Sequence, residues 1–232
     1  MPRLDQLLAS LGYGSRREVS DWVRAGRVAV GGDPVRDPSR RVDAADVRVD
    51  GEALDHPGEL LLLLNKPAGV VCSHDPVEGA NVYGLLPARW RRRHPPLASV
   101  GRLDKETTGL LLITDRTGLV HRLTSPRHKV PKVYRAVLAR DLPPGTEEVF
   151  AAGRCLLPGE AEPCAPATLT RVSDRVAELT LVEGRYHQVR RMLAAQGCEV
   201  LELDRVAFGP LKIQGMPRGT WKELPINSLG DF

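Results

Sequence analysis

An α+β fold in two units is what this sequence predicts, and three observations predict it. Short apolar runs that read as buried strands outnumber the stretches with helical spacing, the two kinds do not alternate regularly, and a brief polar segment separates two differently patterned regions. A chain of 232 residues is long enough for a small domain followed by a medium one.

The first unit opens on Leu4, Leu7, Leu8 and Leu11, which recur at helical spacing, with Gly12 placed to end the helix. A second helix begins at Ser15-Arg16-Arg17-Glu18, a capping-box pattern in which Ser15 and Glu18 satisfy each other's free backbone amides. Val19, Trp22 and Val23 form its buried stripe, and Gly26 supplies a left-handed stop. From Arg27 the period changes to two: Val28 and Val30 alternate, Gly31-Gly32 turns the chain, and Val35, Val42, Val47 and Val49 continue short strands. Asp55, His56, Pro57 and Gly58 then read as a connection. The expected division is residues 1–55, a linker at 56–59, and a second unit over 60–232.

In that second unit Leu60 to Leu64 is a continuous apolar run, stopped by Asn65-Lys66-Pro67, that reads as a fully buried strand. Gly109–Thr114, Tyr134–Ala139, Ala177–Val182 and Glu199–Leu203 read the same way, and Gly118–Leu123, Thr146–Ala152 and His187–Gln196 read as helices.

Composition narrows the functional classes. With 42% hydrophobic and 27% charged residues the chain is globular, and no apolar stretch approaches the roughly 20 residues needed to span a bilayer. Residues 1–12 alternate apolar and charged side chains and lack a signal-peptide core, so a cytoplasmic protein is expected. Net charge is +4, the pI is about 9.0, and arginine far outnumbers lysine, which favours an anionic partner. Cys72, Cys155, Cys164 and Cys198 form no C-x-x-C pair, and the histidines form no H-E-x-x-H pattern, so free thiols and no metal site are expected. Neither a G-x-x-x-x-G-K-[ST] nor a G-x-G-x-x-G phosphate loop is present, so no nucleotide cofactor is expected.

Two constellations carry chemistry. In the first unit Arg16, Arg17, Arg24 and Arg27 lie on or beside the second helix, where by themselves they fit either a solvated face or a polyanion contact. In the second, Gly101-Arg102-Leu103-Asp104-Lys105-Glu106-Thr107-Thr108-Gly109 precedes a buried strand. Standing alone, this is equally a turn in which Asp104 satisfies backbone amides.

Resemblance separates these alternatives. R-L-D at 3–5, S-R-R-E at 15–18 and G-R-V-x-V-x-G at 26–32 resemble the S4 RNA-binding domain, in which the second helix and following turn grip RNA. G-R-L-D-x-x-T-T-G-L-L at 101–111 resembles the catalytic loop of pseudouridine synthases, in the branch that includes the bacterial small-subunit (16S) ribosomal RNA enzyme. Further motifs of that branch follow in order: N-K-P-x-G at 65–69, S-P-R-H at 125–128 leading to K-x-Y at 132–134, and E-G-R-Y-H-Q-V-R-R-M at 183–192.

The resemblance implies a cofactor-free isomerase with a mixed, mainly antiparallel sheet, acting as a monomer on ribosomal RNA or a subunit assembly intermediate. It implies Asp104 as the catalytic carboxylate in a largely buried cleft, Tyr134 as the ring stacked on the target uracil, and Arg190 as the fixed cation that keeps Asp104 ionised. Lysine is common at that last position in the branch, so Arg190 is a departure that preserves charge and adds a bidentate option. Arg102 is expected to fill the gap left by a flipped nucleotide, with Arg122, Arg127, His128 and Lys129 on phosphates. Lys66 and Gln188 are expected to support the cleft, and Asp115, Glu183 and Arg185 carry no assigned role. Large-subunit RNA is the alternative substrate, and a non-catalytic ribosome-assembly factor the alternative class. A base-excising glycosidase is a third option, because its carboxylate pair cannot be recognised from spacing.

Overall fold

The computed structural model describes residues 1–125 and 127–229; Pro126 of the S-P-R-H motif and residues 230–232 of the second unit lie outside the described residues. The chain begins with α1 (Leu4–Ser10) and α2 (Arg16–Arg24), the latter opened by the Ser15–Glu18 capping box, with Ser15 N donating to Glu18 Oε2 at 2.7 Å. Gly12 and Gly26 both adopt positive φ where those helices end. Four short strands follow, β1 (Val28–Val30), β2 (Asp33–Pro34), β3 (Val47–Val49) and β4 (Glu52–Ala53), paired in the order β2-β1-β3-β4. Leu4, Leu8, Val19, Val23, Val28 and Val47 are fully buried between helices and sheet.

Val35 and Val42 are buried in this core without lying in strands, contrary to expectation. Pro34 and Pro38 lie on either side of Val35 and have no amide hydrogen to extend a ladder there. Glu52 and Ala53 are strand and Leu54 is 8% exposed, so the small core extends to residue 54.

The larger sheet contains β5 (Leu61–Lys66), β6 (Ala98–Ser99), β7 (Thr108–Thr114), β8 (Lys132–Leu138), β9 (Thr168–Ser173), β10 (Val176–Leu181), β11 (Val200–Phe208), β12 (Leu211–Lys212) and β13 (Trp221–Glu223). Its order is β13-β5-β7-β11-β8-β10-β9, with β6 on β7 and β12 on β11. Every pairing is antiparallel except β7 with β11, giving the mixed, mainly antiparallel sheet and the α+β class. Three helices, α3 (Thr117–Thr124), α4 (Thr146–Ala151) and α5 (Gln188–Ala195), complete the fold within a residue or two of the sequence expectation.

Two strand ends differ. β11 runs past the expected Leu203 to Phe208. The run expected to stop at Leu64 continues through Asn65 and Lys66, both buried, because Lys66 finds acceptors inside the protein. β9 escaped the sequence reading because, as an edge strand exposed at all but Leu169, it has no apolar alternation. Arg93 and Asp115, both under 9% exposed, form a buried pair at 2.8 Å, and Asp115 also accepts from Leu60 N at 2.9 Å. Asp115 therefore holds the start of β5 to the end of β7.

Asp5 carries a pH-dependent part of the stability of the small core. Its carboxylate is 6% exposed and accepts from Arg3 at 3.0 Å and Arg16 at 2.9 Å, and the Arg3 hydrogen bond is the main reason its pKa falls to about 2. A depressed carboxylate pKa stabilises the fold above its ordinary value near 4, and that stability is lost as pH falls towards 2. The arginines are largely solvated, which reduces the contribution to about 1–2 kcal/mol. Asp5→Asn is expected to lower stability by that amount at neutral pH and to flatten the acid limb. Denaturant unfolding between pH 6 and pH 2.5 tests this; identical pH profiles for both proteins contradict it.

Candidate active site

The loop at 101–107 joins β6 to β7 and is pinned from below by Lys66. This side chain is fully buried, and its ammonium donates to Asp104 O at 3.0 Å, Lys105 O at 3.0 Å, Thr107 O at 2.8 Å and Pro67 O at 3.1 Å. Burial lowers the Lys66 pKa, and the converging carbonyl dipoles are what keep the cation tolerable. Gly69 N donates to Lys105 O and Thr107 N to Asp104 O, closing the turn. At Gly109, with φ +107, a Cβ would stand 2.3 Å from Arg205 O, so only glycine lets β7 approach β11 here.

That close approach builds the site. In the sheet register Gly109 pairs with Arg205, Arg205 with Tyr134, and Tyr134 with Leu179, so residues from four strands form one row across the sheet. Directly paired side chains share a face. Asp104, Tyr134, Lys132, Arg205 and Phe208 accordingly line one cavity of about 840 Å³.

The carboxylate's partner is His187. Its Nε2 lies 3.3 Å from Asp104 Oδ1, and both side chains are a little over a third exposed. His187 occupies a left-handed backbone conformation, φ +49 and ψ +33, just before α5, and its ring stacks on Tyr186 at 3.9 Å. Two sequence expectations are corrected here. Asp104 is not largely buried, its side chain being 38% exposed. Arg190 is not on the carboxylate: its Nη1 donates to Val200 O at 2.8 Å at the start of β11. It lies instead in an adjoining recess of about 750 Å³, which Asp104, Lys105, His187 and Arg218 also line. The reason is helical geometry, since Arg190 lies inside α5 and His187 at its N-terminal end, facing the loop.

Sequence reading quoted His187 within its motif but gave it no role, and it missed Arg205. The strand's sequence offered no signal for the second, since Arg205 follows Glu202 and Asp204 in V-L-E-L-D-R-V-A-F and nothing local marks it as the buried one. Gln188, 4% exposed, accepts from Arg185 N at 2.8 Å and donates to Glu183, whose Oε1 also accepts from Ala165 N. Arg185 continues to Glu160 at 2.7 Å, so these three residues tie the 160–165 loop to α5.

The expected RNA-contacting side chains are all exposed, at two places. Arg102 lines the cavity, held loosely by Glu78 at 3.5 Å, whereas Arg122, Arg127, His128 and Lys129 lie on or just after α3, exposed and outside the cavity lining. On the small unit three of the four arginines have internal partners: Arg16 on Asp5, Arg24 on Asp21 at 3.1 Å, and Arg27 on Asp50, with its guanidinium also 4.5 Å over the Trp22 ring. Arg17 is exposed on the outer face of α2. No helix among the described residues is long and apolar enough to cross a membrane.

Residues 60–195 match the RNA pseudouridylate synthase family and residues 2–47 match the S4 domain. The chain belongs to the RNA pseudouridylate synthase family, isomerases that here carry an N-terminal S4 domain. Among its relatives, the ribosomal small subunit pseudouridine synthase A of Escherichia coli (strain K12) is 39% identical over 215 residues, covering 91% of this chain and 90% of the relative. An uncharacterized RNA pseudouridine synthase of Bacillus subtilis (strain 168), YtzG, is 37% identical over 232 residues, covering 98% and 96%. A crystal structure of a pseudouridylate synthase superposes with a TM-score of 0.68 at 33% identity, covering 99% of this chain and 98% of that one.

Proposed function

We propose that the protein converts one uridine of small-subunit (16S) ribosomal RNA to pseudouridine in the cytoplasm, working as a monomer on the RNA or on an assembly intermediate. Residues 1–55 grip the RNA, 56–59 connect, and 60–232 carry out the reaction. The observation that carries this reading is the convergence of Asp104 and Tyr134 on one cavity that the exposed Arg102 and Lys105 also line, in a chain of this family. The relatives named for the small ribosomal subunit support that choice of substrate.

The reaction detaches uracil from the ribose, turns the ring and rejoins it through C5, with no atom gained or lost. The sugar carbon is shielded in a stacked strand, so the nucleotide must be extruded first; Arg102, exposed at the mouth, takes its place. Asp104 acts on the ribose as an anion, with His187 Nε2 3.3 Å from its Oδ1. Bound RNA closes the mouth over both groups and completes the desolvation that the free protein lacks. Arg190, Arg218 and Lys105 line the adjoining recess and meet the flanking backbone phosphates.

The test is chemical mapping of pseudouridine in ribosomal RNA from cells with and without the protein. Loss of a single modification in small-subunit RNA is expected. Loss from large-subunit RNA instead would move the substrate, and an unchanged map would turn the reading towards a non-catalytic assembly factor.

A further inference from the structure

Among the described residues only two buried side-chain polar atoms lack a hydrogen-bond partner, Thr107 Oγ1 and Arg205 Nη2, and both residues line the cavity that holds Asp104. Arg205 is 2% exposed. Its Nε donates to Leu110 O at 2.7 Å, and the nearby carboxylates are committed elsewhere, Asp204 to Arg218 at 2.9 Å and Asp104 to His187. A second cation, the Lys132 ammonium, donates to Val130 O at 3.0 Å. The Phe208 ring lies 5.5 Å from the Arg205 guanidinium and 5.7 Å from the Lys132 ammonium and offsets only part of their charge. A buried guanidinium with an idle N–H is expensive to maintain and demands an explanation. An acceptor that arrives with the substrate supplies one, and the sheet register places Arg205 directly opposite Tyr134, the ring expected to stack on the target base.

We propose that Arg205 is a further catalytic residue, its guanidinium donating a free N–H to a carbonyl oxygen of uracil as the glycosidic bond opens. The inference rests on the pseudouridine synthase reading. When the bond from N1 to C1′ breaks, its electron pair leaves with the base, and the negative charge spreads over the ring nitrogens, O2 and O4. Asp104 compensates at the sugar, either by bonding to C1′ or by taking the C2′ proton. When C5 then bonds to C1′, Asp104 is released or returns that proton, and the C5 proton passes to N1. Both routes pass through an anionic base, so a preorganised donor aimed at its oxygen lowers the barrier of either. Lys132 adds positive potential in the same cavity without touching the base.

Two variants and one altered substrate test this. Arg205→Met keeps the aliphatic stem and Arg205→Lys keeps the charge; thermal unfolding verifies that each folds. With the ribosomal RNA fragment that the wild type modifies, Arg205→Met is expected to slow single-turnover reaction about 10²–10³-fold, the range for losing one such donor. RNA affinity should stay within about twofold, since the donor acts chiefly in the transition state. Arg205→Lys should fall between. With 5-fluorouridine at the target position the departing base bears negative charge better, so the deficit in glycosidic cleavage should shrink by about tenfold. Wild-type rates for Arg205→Met, or an equal deficit on both RNAs, would overturn the inference and leave Arg205 a structural tie to Leu110. If Arg205→Met does not fold, the comparison of two RNAs with Arg205→Lys decides the matter alone. A wild type that modifies no ribosomal RNA overturns the functional reading itself, a failure distinct from an active enzyme indifferent to Arg205.

Discussion

Asp104→Asn is expected to reduce pseudouridine formation on the order of 10⁴-fold or more while leaving RNA affinity nearly unchanged. Asparagine has almost the volume of aspartate and keeps an oxygen that His187 can reach, so the loop retains its shape. That shape is set by backbone contacts in any case, through the three loop carbonyls held by Lys66 and the turn bond from Thr107 N to Asp104 O. What the substitution removes is the anion, and neither attack on C1′ nor proton removal from C2′ proceeds with a neutral amide. Binding should persist, because the exposed basic side chains are untouched and an anion facing polyanionic RNA contributes nothing to affinity. The measurement is single-turnover conversion beside equilibrium binding on the same RNA. Turnover by Asp104→Asn within tenfold of the wild type would sink the assignment of the carboxylate.

Tyr134 should show the next largest effects, and two substitutions separate its roles. The ring is half-buried and packs against two of the three core clusters of the larger unit, while its hydroxyl makes no hydrogen bond to another described residue. An uncommitted hydroxyl in the cavity is free to serve the substrate. Tyr134→Phe keeps the ring, so it should bind RNA normally and slow the chemical step by about 10²–10⁴-fold if the hydroxyl transfers a proton. Tyr134→Ala removes ring and hydroxyl. Stacking of a base on an aromatic ring is worth roughly 1–3 kcal/mol, so capture of the flipped base should weaken by about tenfold or more in addition. Loss of the half-buried ring should also lower stability, by up to about 3 kcal/mol. Rates and affinities equal to wild type in both variants would mean that Tyr134 is only a core residue.

Much of the fold was legible because it depends on local periodicity. The α1 leucine spacing, the Ser15–Glu18 box, the continuous apolar run of β5 and the three later helices each follow from side chains close together in sequence, and each stands where the pattern places it. What failed failed for tertiary reasons. β9 has no pattern of its own and forms because β10 offers it a ladder. Lys66 sits in a strand at a place where its charge should stop one, because the carbonyls that accept its protons come from the loop at 104–107.

For the site, the sequence by itself determined which residue types are present and in what order. The Asp104 loop, the Tyr134 segment and the 183–192 segment are contiguous motifs, and these identify the reaction class. Only the tertiary structure decided the partnerships. Asp104 meets His187 rather than Arg190, because the left-handed turn before α5 swings the histidine towards the loop while the helix carries the arginine to Val200. Arg205 becomes a bare buried donor only because Gly109 lets β11 close against β7 and the antiparallel register sets it opposite Tyr134. A motif records neighbours along the chain, whereas the partner of a charged side chain is fixed by strand register and burial between segments far apart in sequence, which no local pattern encodes.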